Sequence, residues 1–370
     1  MMQFVDLGYQ YREIKEDLDR RVAKVLAHGI FVSGPEVAEL EAQLADFVGV
    51  KHCISVSSGT DALLVALMAL GVKAGDEVIT SPFTFIGTVE AICLSGATPV
   101  FVDIRPDTFN MDESQLEAAI TERTKAILPV SIFGQCPDFD QINAIAARAD
   151  LPVIEDAAQS FGATYKQKKS CGLTTIGCTS FFPSKPLGAY GDGGACFCDN
   201  DRLADIMRSI RIHGQTERYL HERLGFTGRL DTIQAAVLLA KLQVFEKEIT
   251  LRQGVAAKYD KLLKDLGSKI STPFIDSSNS SAFAQYTIEV QDRDIFRSKM
   301  EKEGVPTAVH YPIPVHKQPV LSESDCEENL GTYPVTEAIC QRVVSLPMHP
   351  YLTSEELETV SNSVKKSINQ

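Results

Sequence analysis

Val153-Ile154-Glu155-Asp156-Ala157-Ala158-Gln159 and, about twenty residues on, Cys178-Thr179-Ser180-Phe181-Phe182-Pro183-Ser184-Lys185-Pro186-Leu187-Gly188 are the stretches whose reading decides the fold. Each is a short apolar run that ends on polar and turn-forming residues, the pattern of a buried strand delivering side chains to a loop. Outward from them, Cys53-Ile54-Ser55-Val56, Glu77-Val78-Ile79-Thr80, Thr98-Pro99-Val100-Phe101-Val102, Ala126-Ile127-Leu128-Pro129-Val130 and Gly194-Ala195-Cys196-Phe197 read the same way. Helical patterns separate several of them, including an Ala/Leu-rich run from Ala62 to Leu70. Strands alternating with helices indicate an α/β fold: a mixed, mostly parallel sheet covered by helices on both faces. Ahead of it, residues 12–28 carry Ile14, Leu18, Val22 and Val25 on one helical face, and a second helix runs through Leu40, Leu44 and Phe47 after the break at Gly34-Pro35-Glu36.

The register changes near residue 230. Asp231 to Lys247 reads as one helix and a further helix runs to about 265. A polar loop at 276–281 follows, then an alternating, half-exposed strand at Gln285–Val290 and helices at about 293–303 and 354–367. This predicts a large domain over 1–250, N-terminal helix included, and a smaller C-terminal α+β domain over 251–370.

The bulk numbers narrow the function. The 370 residues carry a net charge of −13, so the overall field repels nucleic acid, and an anionic ligand needs a local basic patch. No apolar run is long enough for a transmembrane helix, and Asp6 interrupts the start where a signal peptide stays apolar, so a cytoplasmic protein without membrane contact is expected. Nine scattered cysteines with no CxxC pair favour reduced thiols over disulfides or a metal site. Cys196 and Cys198 are expected to point to opposite faces of their strand.

A carboxylate after one strand and a lysine after the next suit pyridoxal 5'-phosphate (PLP): the cofactor bonds covalently to a lysine, and its ring nitrogen needs an acidic partner. Lys185 and Asp156 are the residues so placed. Most lysines are solvated surface residues, but the flanking Phe, Phe, Pro and Gly-rich turn do not read as a solvated helix face. Glu155 points to the other face of its strand and is the less suitable partner. Ser57-Ser58-Gly59-Thr60-Asp61, between a strand and a helix, offers backbone N–H groups and the Thr60 hydroxyl to a phosphate; the plain alternative is an ordinary helix cap. Gln159 can reach the ring 3-oxygen and Phe85 can stack on the ring, although core packing explains Phe85 nearly as well. Seven basic residues between Arg208 and Arg229 suggest a patch for an anionic substrate. His310 and Tyr311, in Val309-His310-Tyr311-Pro312-Ile313-Pro314, carry rings that suit a sugar or a structural role.

In their order along the whole chain these motifs resemble the DegT/StrS family of sugar aminotransferases, fold type I PLP enzymes. The motifs are Gly34-Pro35-Glu36, Ser58-Gly59-Thr60-Asp61-Ala62-Leu63, Gly75-Asp76-Glu77-Val78, Glu155-Asp156-Ala157-Ala158-Gln159, the Lys185 segment, His213-Gly214-Gln215, Arg229-Leu230-Asp231 and His310-Tyr311-Pro312-Ile313-Pro314. The resemblance implies that Lys185 carries the cofactor and moves the proton. It implies Asp156 at the ring nitrogen, Gln159 at the 3-oxygen, Phe85 on the ring, and Gly59, Thr60 and Ser180 at the phosphate. It also implies a homodimer whose shared active sites are completed by a loop from the second subunit. That loop usually reads Asn-Ser-Arg-Leu-Asp and here reads Thr227-Gly228-Arg229-Leu230-Asp231, with Thr227 in place of the phosphate-reaching asparagine. Arg229, His310 and Tyr311 are the substrate-binding expectations.

Within the family the likeness is greatest to enzymes that aminate C3 of a nucleotide-linked keto sugar with glutamate as donor. UDP-2-acetamido-2-deoxy-3-keto-glucuronic acid, on the way to O-antigen, leads. Alternatives are a 3-keto sugar nucleotide without the carboxylate, a PLP-dependent sugar dehydratase (which carries His where Lys185 stands), and a non-enzymatic regulatory protein on the same scaffold.

Overall fold

Seven apolar runs pair edge to edge into the central sheet: β1 (His52–Val56), β2 (Glu77–Thr80), β3 (Thr98–Phe101), β4 (Thr124–Leu128), β5 (Ile154–Asp156), β6 (Ile176–Ser180) and β7 (Gly194–Cys198). The computed structural model describes residues 2–322 and 331–369. The strands lie in the order β3-β2-β4-β5-β6-β7-β1, with parallel bridges Ile127–Val153 and Val130–Asp156 joining β4 to β5. β2 is parallel to β3 and β4, and β5 to β6, whereas β7 runs antiparallel to both its neighbours. Near-complete burial of these strands is what a sheet covered on both faces requires.

On one face, α3 (Gly59–Ala69) packs Ala62, Val65 and Ala66 with Ile54, Val78, Cys178 and the Ala204 and Met207 of α6 (Asp201–Ile210). On the other, Leu40 and Leu44 of α2 (Pro35–Val48) meet Phe161, Phe181, Phe197 and Leu238. Cys196 and Cys198 both belong to the first cluster while Phe197 between them belongs to the second. The expectation that the two thiols face opposite ways is therefore wrong, since residues two apart in a strand line one face.

The helix from Thr232 to Leu263 is continuous over 32 residues, with no break after Lys247. The β-branched pair Ile249-Thr250 costs only a few tenths of a kcal/mol each in a helix, and burial of Ile249 in the sheet cluster offsets it. Phe245 and Ile249 pack against the sheet side, whereas Val255, Ala256, Tyr259 and Leu263 pack into a C-terminal cluster. That cluster covers a second, antiparallel sheet in the order β8 (Ile270–Ser271), β9 (Tyr286–Val290), β10 (Val343–Leu346). β9 was expected to be half-exposed; it is central and largely buried. Its polar positions have partners: Thr287 shares a 2.9 Å hydrogen bond with Ser345, and Glu289 accepts from Arg342 at 3.0 Å. A helix at Pro334–Arg342 had no counterpart in the sequence reading. Among the described residues no helix is long and apolar enough to cross a membrane.

Candidate active site

β5 and β6 run side by side, with Asp156 opposite Cys178, so the chain leaving β6 delivers Ser180 and then Lys185 beyond the carboxyl edge of the sheet. Open α/β sheets bind ligands at that edge. The turn is held by Phe181 N–H on Gly193 O at 2.7 Å, Ala189 N–H on Phe181 O at 2.7 Å and Lys185 N–H on Phe182 O at 2.9 Å. Lys185 is half-buried. Desolvation lowers its pKa, and the negative charge of Asp156 opposes that shift.

Asp156 is 6% exposed. Its Oδ2 accepts from Thr88 Oγ1 at 2.8 Å and its Oδ1 from the Ala158 N–H at 3.1 Å. Burial raises its pKa, while these two donors and the charge of Lys185 favour the carboxylate. Glu155 lies on the opposite face, fully buried. It accepts from Ser131 at 2.8 Å, from Ser170 at 2.6 Å and from the Cys171 N–H at 2.7 Å.

α3 begins at Gly59, three residues ahead of the expected start at Ala62, because Ser58 caps it: Ser58 Oγ accepts from the Asp61 N–H at 3.0 Å. Gly59 and Thr60 therefore stand in the first turn, where backbone N–H groups and the helix dipole favour an anion. A Cβ on Gly59 would fall 2.6 Å from Ser180 Cβ, and one on Gly194 would fall 2.4 Å from Ser58 O. Ser180 is thus pressed against the start of the helix, and only glycine fits beneath it. A Cβ on Gly87 would meet Thr60 Oγ1 at 3.0 Å and the Phe85 ring at 3.1 Å, which puts that hydroxyl and that ring beside each other. Phe85 is 55% exposed, unlike its core neighbour Phe83 at 1%. Gln159 Oε1 accepts from the Phe133 N–H at 2.6 Å and its Nε2 donates to Tyr311 Oη at 3.0 Å. His310 shares a 3.0 Å hydrogen bond with Ser345. Burial, and then the charge of Lys185, pushes its pKa down to about 4, so it is neutral at neutral pH.

A buried acid, an amine five residues past the next strand, a glycine-lined helix start with a serine over it and an exposed aromatic ring fit PLP feature by feature. Residues 12–365 match the DegT/DnrJ/EryC1/StrS aminotransferase family. The chain belongs to this family. It is 55% identical over 360 residues to the UDP-2-acetamido-2-deoxy-3-oxo-D-glucuronate aminotransferase of Pseudomonas aeruginosa, covering 97% of this chain and 98% of that one. It superposes on a family aminotransferase from Brucella abortus with a TM-score of 0.95 at 41% identity, each chain covered completely. Against the Bacillus subtilis protein NtdA with bound cofactor PMP, the TM-score is 0.89 at 32% identity, covering 99% of this chain and 83% of that one.

In this aminotransferase the basic segment behaves differently from its sequence reading. Arg211 bonds Glu41 and donates to Ser55 O at 2.7 Å, Arg208 pairs with Asp205 at 3.3 Å, and Arg223 bonds Ser209. Those three arginines are engaged within the chain, whereas Arg218 is exposed and touches Tyr219, and Arg229 is half-buried. Thr227 is exposed and shares a 2.7 Å hydrogen bond with His213. Gly228 O accepts from the Ser57 N–H at 3.1 Å, which ties this loop to the residue just ahead of the Ser58 cap. The sequence reading missed Thr88 and the Gln159–Tyr311 contact. The spacing of Thr84 and Thr88, one helical turn apart, was the available signal for the first.

Proposed function

We propose that this aminotransferase takes the amino group of glutamate and places it at C3 of UDP-2-acetamido-2-deoxy-3-keto-glucuronic acid, with PLP as cofactor, for O-antigen or another surface polysaccharide. The observation that carries the chemistry is the pairing of Asp156 and Lys185 at the ends of adjacent strands. The likeness to the Pseudomonas aeruginosa enzyme supports the substrate.

When bound, PLP supplies a ring that accepts electrons from the carbon losing its proton. Lys185 Nζ, biased toward its neutral form by burial, is the amine that would hold the cofactor and, once the donor's amine had displaced it, the base that would take a proton at Nζ from the donor carbon and give it back on the far side of the imine nitrogen. The Asp156 carboxylate holds the proton on the ring nitrogen. The first-turn N–H groups at Gly59 and Thr60, the Thr60 hydroxyl and Ser180 hold the phosphate. Phe85 covers the ring face, Gln159 faces its 3-oxygen, and His310 and Tyr311 border the substrate space. We assign Arg229 to the uronate carboxylate, since a planar guanidinium matches a carboxylate in two hydrogen bonds.

The active unit we infer is a homodimer. Phe31, Val32, Phe182, Tyr219, Leu220 and Leu224 are exposed apolar residues. Val32 bridges Asp231, so part of this surface adjoins the 227–231 loop. We also take the change of packing partners along the 232–263 helix as the division between a 1–250 domain and a 251–370 domain.

The test loads the enzyme with glutamate, removes excess donor and offers a panel of keto-sugar nucleotides, reading recovery of the visible cofactor band. The 3-keto uronic acid should be preferred over the matching hexose by roughly ten- to a hundredfold in kcat/KM, the worth of one hydrogen bond to a charged group. Arg229→Ala should erase most of that preference. Equal loss on both substrates would remove Arg229 from the carboxylate and put a 3-keto sugar without one ahead.

A further inference from the structure

A buried threonine inside a helix usually hydrogen-bonds the carbonyl four residues back. Thr88, in α4 (Ile86–Leu94), instead donates to Asp156 Oδ2 at 2.8 Å, across 68 residues of sequence. The second contact of the Thr88 hydroxyl is Thr84 Oγ1, also at 2.8 Å. Both threonines are buried, at 2% and 3% exposure. An ionised carboxylate has no hydrogen to give, and a hydroxyl has one. Thr88 must therefore donate to Asp156, so Thr84 must donate to Thr88. The two hydroxyls form a chain with one direction, aimed at the carboxylate, and such chains strengthen each member. The Ala158 N–H is the other donor to that carboxylate. A carboxylate has about four acceptor sites, so two donors leave capacity for a further partner. Thr84 also precedes Phe85, and the Thr88 N–H donates to Phe85 O at 3.2 Å, so the ring-stacking residue and the donor chain share one turn of backbone.

We propose that Thr88, backed by Thr84, is a positioning residue that holds the Asp156 carboxylate ionised and turned so that its open lone pairs meet the ring nitrogen of PLP. This rests on the cofactor reading given above. Valine has nearly the shape of threonine and no hydroxyl, so Thr88→Val removes the donor with little change in packing volume.

The experiment compares wild type, Thr88→Val, Thr88→Ser, Asp156→Asn and the Thr88→Val/Asp156→Asn pair. Each is stripped of cofactor and reconstituted, and the PLP dissociation constant, kcat and the KM for glutamate are measured. Loss of one hydrogen bond to a charged acceptor predicts roughly tenfold weaker PLP binding and a similar fall in kcat for Thr88→Val, with the KM for glutamate little changed. Thr88→Ser, which keeps the hydroxyl, should recover most of both and also report that position 88 tolerates substitution. In the Asp156→Asn background, Thr88→Val should have almost no further effect on PLP binding, because the group it acts on is gone. Wild-type PLP affinity and kcat in Thr88→Val would overturn the role, as would the same loss in both backgrounds, which would make Thr88 a packing residue. If Asp156→Asn alone leaves PLP affinity and kcat unchanged, the failure lies in the cofactor reading itself and takes this role with it. If Asp156→Asn is impaired and Thr88→Val is not, only the role of Thr88 fails.

Discussion

The two faces of β5 carry adjacent buried carboxylates with opposite surroundings. Glu155 is enclosed by Ser131, Ser170 and the Cys171 N–H, and every donor comes from the protein. Among the described residues Asp156 has only Thr88 and the Ala158 N–H as donors, which leaves acceptor capacity unfilled, and the charge of Lys185 acts on it. Burial raises the pKa of both. The difference lies in what supplies the remaining donors: the fold completes Glu155, and a ligand must complete Asp156. A buried acid with a closed shell is architecture, and one with an open shell is a binding group.

The sharpest way to break this comparison is to remove the group facing the open side. Lys185→Ala should bind PLP yet lose turnover by at least roughly 10²–10⁴-fold, the worth of positioned acid–base catalysis. Mixing it with Arg229→Ala chains should restore part of the activity in hybrid dimers. Steady-state transamination by Lys185→Ala near the wild-type rate would end the assignment, and hybrids that form without regaining activity would place each site within one chain. Next, the acids can be exchanged one at a time. Asp156→Asn should lower kcat by roughly a hundredfold or more while thermal unfolding of the apo-protein barely moves. Glu155→Gln should do the reverse: its amide faces donors, which costs about 1–3 kcal/mol of stability, while kcat stays within a small factor. Matching effects of the two substitutions on kcat would erase the distinction.

The smallest effect lies away from the site. Lys241 is fully buried, its Nζ has no hydrogen-bond partner among the described residues, and it sits 4.2 Å from the centre of the Tyr190 ring. Burial pulls its pKa down to about 8 from 10.5. A lysine whose folded pKa lies below its unfolded one destabilises the fold below the folded value, and that penalty fades as pH rises to the unfolded value. The gap corresponds to roughly 3 kcal/mol at most, because attraction of the cation to the ring face draws the folded pKa back toward the unfolded one. Lys241→Met should therefore stabilise the protein by about 1 kcal/mol or more at pH 7, an advantage lost by pH 10.5. Urea unfolding at pH 7 and pH 10 checks this, and an advantage that persists unchanged at pH 10 would show that packing, not charge, is responsible.

Much of this was legible in the sequence because strand periodicity is strict. Alternation alone put Glu155 and Asp156 on opposite faces, and two apolar runs ending in Asp156 and Ser180 located the edge of the sheet. What escaped depended on which contacts form, some within one helical turn and some between residues distant in the chain. Ser58-Gly59-Thr60-Asp61 looked like a loop because its residues favour caps, and only the bond from the Asp61 N–H to Ser58 shows that the helix has begun. The charges of Arg208 and Arg211 suggested a ligand, but Asp205 engages the first across one helical turn and Glu41, 170 residues away, engages the second. β9 looked half-exposed because Ser345 and Arg342 lie more than fifty residues on. Thr88 drew no reading from the sequence, because its partner Asp156 lies 68 residues on.

The long 232–263 helix also has a consequence in time. Its first half packs on strands and helices that precede it, so its partners exist as soon as it is synthesised. Its second half, with Val255, Tyr259 and Leu263, needs Ile288 and Leu346 to cover it. Leu346 is made 83 residues after Leu263, roughly 4–17 s later at ordinary rates of translation. During that interval one rod is half sheltered and half bare on the ribosome. The half that waits belongs to the module that will carry His310 and Tyr311 to Lys185 and Gln159.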